Sequence, residues 1–175
     1  IGRHYVYDAL LAYTAATRMG LAPAQVAVAL SGYCPVAMRQ NIVDINGGTV
    51  IEDCYNASPE SMQAALQTLG EMQPGKNGRR IAVVGDMLEL GSVSDEAHKA
   101  VAHQCNEAGV ELLLAVGPQA ALTVAEAVKL GMQAKFFETN SQMAVELLRQ
   151  AKTGDVVLVK ASRGMNLEAV FEQFT

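Results

Sequence analysis

The stretch Ile51–Met62, IEDCYNASPESM, gathers two carboxylates, a phenol and an amide immediately before Ser-Pro-Glu. Part of this is helix-start chemistry: Ser58 is a favoured N-cap, Pro59 suits the first helical position, and Glu60 complements the positive end of the helix dipole. Capping leaves Asp53, Tyr55 and Asn56 unexplained. An aspartate at a strand end can accept from a ribose hydroxyl or hold a helix start, and spacing leaves both readings open.

A second cluster, Lys160-Ala161-Ser162-Arg163-Gly164, sets two cations and a hydroxyl between the apolar run VVLV and a helical segment. Charge-assisted hydrogen bonds and free backbone N–H groups at such a turn are how a carboxylate or phosphate is held. The competing reading is a solvated basic turn, which the apolar strand before Lys160 disfavours. The third cluster, Gly85-Asp86-Met87-Leu88-Glu89-Leu90-Gly91, reads on its own as a tight turn with a capping aspartate.

Other chemistries fail on spacing. His98 and His103 stand five apart, without the HExxH arrangement of a zinc helix, and His103 is expected on the surface. There is no Gly-x-Ser-x-Gly elbow, no cysteine with an evident histidine partner, no GxGxxG and no GxxxxGK[ST] loop. The eight methionines are scattered and suit core filling better than a binding stripe.

The elements that must position these clusters follow from periodicity. An amphipathic helix is expected over residues 5–19, with Val6, Leu10 and Tyr13 on one face, and a short helix from Pro23 to near Leu30. The segments NIVDI and TVIED around Asn46-Gly47-Gly48 read as a hairpin. Helices are expected from Pro59 to about Met72 and over 94–108, 118–130, 141–151 and Met165–Phe174. Between them IAVVGD, ELLLAVG, AKFFE and DVVLVKAS read as strands. Continuous apolar strands alternating with helices predict an α/β, mostly parallel, Rossmann-like sheet covered on both faces, whose ligands sit beyond the carboxyl ends of the strands. The boundary is placed near Pro35, giving a helical leader over 1–36 and an α/β domain over 37–175.

Composition sets the outer limits. In 175 residues, half are hydrophobic and 18% charged, which is ordinary globular material; the net charge of −5 offers no basic footprint for nucleic acid. Three scattered cysteines suit a reducing compartment, and no apolar run is long enough for a membrane span, so a cytoplasmic protein without membrane insertion is expected. The opening IGRHYVYDALLAY runs straight into a helix without an initial Met, which is expected of the tail of a longer chain.

Taken in order, GRHYVYDALLA, PVAMRQNI, EDCYNASPESM, VVGDMLELG with EAH following, and VLVKASR resemble the C-terminal part of the Mur ligases. The EDCYNASPESM and VVGDMLELG pieces resemble most the branch that joins D-Ala-D-Ala to UDP-N-acetylmuramoyl-tripeptide. The resemblance implies an ATP- and Mg²⁺-dependent ligase of peptidoglycan synthesis that works as a monomer through an acyl phosphate. It implies that residues 1–36 end the central ATP-binding domain and that this chain alone does not catalyse. Arg39 and Asp53, with His4 and Asp8, are implied nucleotide contacts. Asn56, Lys160, Ser162 and Arg163 are the implied acceptor side. Where the family's opening helix carries two asparagines, this chain has Tyr5 and Asp8; a carboxylate there repels phosphates unless a cation intervenes. A sibling ligase for another amino acid and a carboxylate-binding module without catalysis are the alternatives.

Overall fold

The computed structural model describes residues 2–34, 38–45 and 47–173, so Pro35, Asn46 and Phe174, on which three of the expectations fall, lie outside the described residues. The chain runs α1 (Arg3–Arg18), α2 (Pro23–Ser31), β1 (Asn41–Ile45), β2 (Gly48–Asp53), α3 (Pro59–Glu71) and β3 (Arg80–Gly85). It continues through α4 (Ser94–Glu107), β4 (Leu112–Val116), α5 (Ala120–Lys129), β5 (Ala134–Phe137), α6 (Asn140–Gln150) and β6 (Val156–Lys160). A 3₁₀ turn at Gly91–Val93 precedes α4.

The six strands form one sheet in the order β1-β2-β6-β3-β4-β5, in which the β1–β2 hairpin is antiparallel and every other pairing parallel. The last strand therefore inserts between β2 and β3, setting Asp53 beside Lys160 and Lys160 beside Val84 at the carboxyl edge. Alternate residues of the strands feed two cores. Ile51, Ala82, Val84, Leu113 and Leu158 pack with Met62, Leu66 and Leu69 of α3 and Val101 and Cys105 of α4. Val50, Ile81, Val83, Leu114, Val157 and Val159 pack on the other face with Met143, Ala144 and Leu147 of α6. Strands buried on both faces have no polar side to show, which is why their sequences read as continuous apolar runs.

One expectation is corrected. In place of the expected closing helix, the described residues from Met165 to Gln173 are not α-helical: 3₁₀ turns span Arg163–Met165 and Leu167–Gln173, separated by Asn166 in the left-handed region. Leu167 and Val170, both fully buried, stand three apart, the period of a 3₁₀ helix, while the Asn140 amide takes the Met165 carbonyl at 2.7 Å and the Asn166 carbonyl at 3.3 Å. Those carbonyls are then spent outside an α-helical ladder. The expected first helix forms as α1, and its Val6 and Leu10 are more than half exposed, as are Tyr7 and Leu11 beside them.

Candidate functional site

The β2–α3 turn is built by its cap. Ser58 Oγ accepts from Ser61 N at 3.2 Å and Ser61 Oγ accepts from Ser58 N at 2.9 Å, a reciprocal pair that satisfies two helix-start donors and fixes where the chain leaves β2. Upstream of that fixed point, Asp53 and Asn56 have one partner in common. Lys160 Nζ donates to Asp53 Oδ2 at 2.8 Å and to the Asn56 carbonyl at 3.0 Å. Lys160 is 1% exposed, so its ammonium is held by these contacts and not by bulk water.

Facing this edge, the segment before β1 is fastened from two sides. Tyr5 Oη donates to the Arg39 carbonyl at 3.1 Å, and Tyr55 N donates to the Met38 carbonyl at 3.1 Å. The Arg39 guanidinium lies over the Tyr55 ring, 4.2 Å from its centroid, a cation–π contact that aims an exposed cation across the cleft. Burial, then the neighbouring Tyr33 and Asp53, push the Tyr5 phenol above its ordinary value, so it stays a hydrogen-bond donor. Cys54, between Asp53 and Tyr55 in sequence, is buried; burial first and Glu52 second push its thiol up to about 12, which removes it as a nucleophile.

A cleft of about 620 Å³ results, walled by His4, Tyr5 and Asp8 of α1, Arg39, Asp53 and Asn56 and floored by Lys160. Of the residues implied as nucleotide or acceptor contacts, six (His4, Asp8, Arg39, Asp53, Asn56 and Lys160) converge on one cavity. Ser162 and Arg163 stand outside its lining. Ser162 is buried at a junction: its Oγ accepts from Leu88 N at 2.9 Å, its N donates to the Asp86 carbonyl at 3.1 Å, and its hydroxyl faces the Ala57 carbonyl at 3.5 Å. Arg163 is half exposed, ion-paired with Glu168, and touches Met38 Sδ at 3.1 Å.

The Gly85–Gly91 turn is scaffold to that junction. Asp86 is buried and its Oδ1 accepts from Ala120 N at 2.7 Å, capping α5 and not the helix that follows it in sequence. His98 Nε2 accepts from Met87 N at 3.0 Å while its Nδ1 faces the Ser94 carbonyl at 2.8 Å, so Nδ1 carries the proton. His103 is exposed and pairs with Glu126 at 3.3 Å. Among the described residues no three metal-ligating side chains converge.

Sequence reasoning missed Tyr33 and Gln40, which also line the cleft. Nothing in local sequence marks them: Gln40 occupies a left-handed backbone conformation, φ 50°, that glutamine does not favour.

Residues 38–163 match the family described as Mur ligase, glutamate ligase domain. The chain is 34% identical over 173 residues to the UDP-N-acetylmuramoyl-tripeptide–D-alanyl-D-alanine ligase of Bacillus subtilis (strain 168), across 97% of this chain and 37% of that one. Its counterpart in Escherichia coli (strain K12) is 31% identical over 172 residues, across 97% of this chain and 36% of the relative. Among solved structures, MurF from Acinetobacter baumannii superposes with a TM-score of 0.85 at 27% identity, over 99% of this chain and 37% of that chain. MurF ligase from Thermotoga maritima in complex with ADP gives a TM-score of 0.68 at 31% identity, over 83% of this chain and 32% of that chain. The chain thus spans little more than a third of the length of the curated relatives it matches.

Proposed function

The chain belongs to the Mur ligase family, and we propose that it is the C-terminal portion of an ATP-dependent ligase that joins D-Ala-D-Ala to UDP-N-acetylmuramoyl-tripeptide in peptidoglycan synthesis. The observation that carries this reading is the cleft itself, where the segment before β1 and the carboxyl ends of β2 and β6, facing α1, bring Arg39, Asp53, Asn56 and Lys160 to one cavity. Its size suits a nucleotide-sized ligand. Arg39 supplies a cation for phosphate oxygens and Asp53 a carboxylate for donors of the sugar. Asn56 and the turn from Lys160 to Arg163 face the acceptor, with Lys160 acting through Asp53 and the Asn56 carbonyl and Ser162 fixing the turn from below.

ATP supplies the phosphoryl group that activates the tripeptide carboxylate as an acyl phosphate, which the acceptor amine then attacks. What this chain's residues do is position and dry the site. Mg²⁺ would come with the phosphates, as is usual for that ion. Residues 1–36 are the end of the central ATP-binding domain and 37–175 the closing domain. The exposed Val6, Tyr7, Leu10 and Leu11 of α1 are the kind of face that the rest of such a domain would cover. The protein works in the cytoplasm as a monomer, and 175 residues alone do not catalyse. No helix of the described residues is long and apolar enough to cross a membrane.

The test is ADP release by the intact protein with UDP-N-acetylmuramoyl-tripeptide. Release that depends on D-Ala-D-Ala, and not on D-Glu or meso-diaminopimelate, supports the reading. A preference for either single amino acid makes the protein a sibling ligase. Ligation by residues 1–175 alone overturns the reading of the chain as a non-catalytic portion.

A further inference from the structure

Met38 stands just before Arg39 with φ 64°, a left-handed backbone conformation that glycine adopts freely and methionine only at a cost. Its carbonyl is held there by Tyr55 N at 3.1 Å. Strain of this kind persists where the surrounding structure over-determines it, and it gathers at functional sites. The side chain packs in part against the core on the α6 side of the sheet. Packing alone does not account for its sulfur. Met38 Sδ accepts from Arg163 Nη1 at 3.1 Å in a solvent-exposed contact, and among the described residues no other methionine sulfur takes a hydrogen bond.

Nη1 carries two N–H groups, and it faces both the Met38 sulfur and the Glu168 carboxylate. A thioether is a weak acceptor, so an incoming carboxylate displaces it from the guanidinium readily. Oxidation of the sulfur would reverse that. A sulfoxide is polar, and its oxygen would hold the guanidinium through a charge-assisted hydrogen bond. Met38 is also within an oxidant's reach: it is half-buried, whereas Met62, Met87 and Met143 are sealed in the core.

We propose that Met38 is an oxidation site through which peroxide lowers acceptor use by capturing Arg163. This rests on reading Arg163 as an acceptor contact. The sulfur attacks one oxygen of hydrogen peroxide; an S–O bond forms and the O–O bond breaks. The sulfur gives up two electrons to the peroxide, and the proton of the transferred oxygen passes to the departing hydroxide, which leaves as water. The change is reversible, because sulfoxide reductases return the thioether.

The experiment treats the intact ligase with hydrogen peroxide, follows the Met38 peptide by mass spectrometry, and measures KM for D-Ala-D-Ala and for ATP before and after. The acceptor KM of the wild type should rise by about tenfold, the order of one hydrogen bond to a charged group, with the ATP KM unmoved. Methionine sulfoxide reductases should restore it. Met38→Leu should show no such rise, nor should Met38→Gly, which suits the left-handed backbone; each is compared with its own untreated sample. Complete oxidation of Met38 without a change in acceptor KM overturns the proposal, as does an equal rise in both variants or a Met38 that stays reduced while other methionines oxidise. A rise in the ATP KM instead would place the effect at Arg39 and overturn it too. Untreated Arg163→Ala separates the two readings: an unchanged acceptor KM there removes the acceptor role of Arg163 and this inference with it, whereas a raised one leaves that role standing whatever peroxide does.

Discussion

Lys160 Nζ stands 2.8 Å from Asp53 Oδ2, at the ends of two neighbouring parallel strands, with both residues nearly sealed from solvent. An exposed basic turn would leave its charge for a ligand. Here the charge is matched within the protein, and the match joins the β2 exit, where Asp53 and Asn56 sit, to the β6 exit, where Ser162 and Arg163 sit. Lys160 is therefore a positioning cation at the junction of the two proposed half-sites.

Breaking that pair from one side should be costly. Lys160→Met leaves a buried carboxylate without its ammonium, and Asp53→Asn leaves a buried ammonium without its carboxylate; each should destabilise by about 3–5 kcal/mol. The double variant removes both charges and should lose clearly less than the sum. Urea unfolding of the four proteins measures this. Strict additivity would show that the two residues do not act as a pair.

Arg163 and Arg39 should fail in different steps. Arg163 carries the Glu168 carboxylate on its guanidinium, the kind of group an acceptor's terminal carboxylate would replace. Arg163→Ala should weaken acceptor use by about 1.5–3 kcal/mol, the value of a hydrogen bond to a charged group, seen in the acceptor KM. Glu168→Gln, which weakens the internal competitor, should lower that KM. An acceptor KM unmoved by Arg163→Ala removes Arg163 from the site.

Arg39→Ala should instead depress acyl-phosphate formation, because Arg39 is the exposed cation of the cleft, aimed by Tyr55. Single-turnover measurement without acceptor isolates that step. If it runs at the wild-type rate, Arg39 does not contact the phosphates.

How much of this was legible beforehand depends on the range of each interaction. Ser58 and Pro59 announce the start of α3 because capping is local, and the apolar runs announce the strands because burial on both faces leaves no polar positions. The bound of the last segment was misread because Leu167 and Val170 fit a period of three as well as 3.6, and the deciding contact comes from Asn140, on another element. Lys160 could be read as a cation after an apolar strand, but its partner lies 107 residues away in the chain. Gln40 left no trace in the sequence, since its place in the cleft follows from a left-handed backbone whose preceding carbonyls are held by Tyr5 and Tyr55.

Gly117→Ala should test the scaffold beneath the site. A Cβ at Gly117 would lie 2.6 Å from Asp86 Oδ1, on a backbone with φ +112°. The substitution therefore strains the chain and displaces the carboxylate that caps α5 at Ala120 N. Together these should cost about 3 kcal/mol or more. Gly131→Ala, also at positive φ but with nothing within 4 Å of the new Cβ, should cost about 1 kcal/mol. Equal thermal shifts for the two would mean that the Asp86 contact carries no stability.

The thiols give a prediction with a definite sign. Cys34 is exposed, whereas burial holds the thiols of Cys54 and Cys105 at about 12. Near pH 8 an aromatic disulfide reagent should therefore modify one thiol of the native chain rapidly and all three in denaturant. On unfolding, each buried thiol returns toward 9.0, so between about 9 and 12 the unfolded state has lost a proton that the folded state keeps. Stability is fully present below 9 and falls as pH rises through that window, by about 1 kcal/mol per thiol by pH 10. Cys105→Ala will lower stability at every pH through its cavity, but it should flatten the alkaline slope relative to the wild type. An equal slope in the two proteins would show that Cys105 ionises as readily in the folded chain as in the unfolded one, and that its burial on the inner face of α4 does not exclude charge.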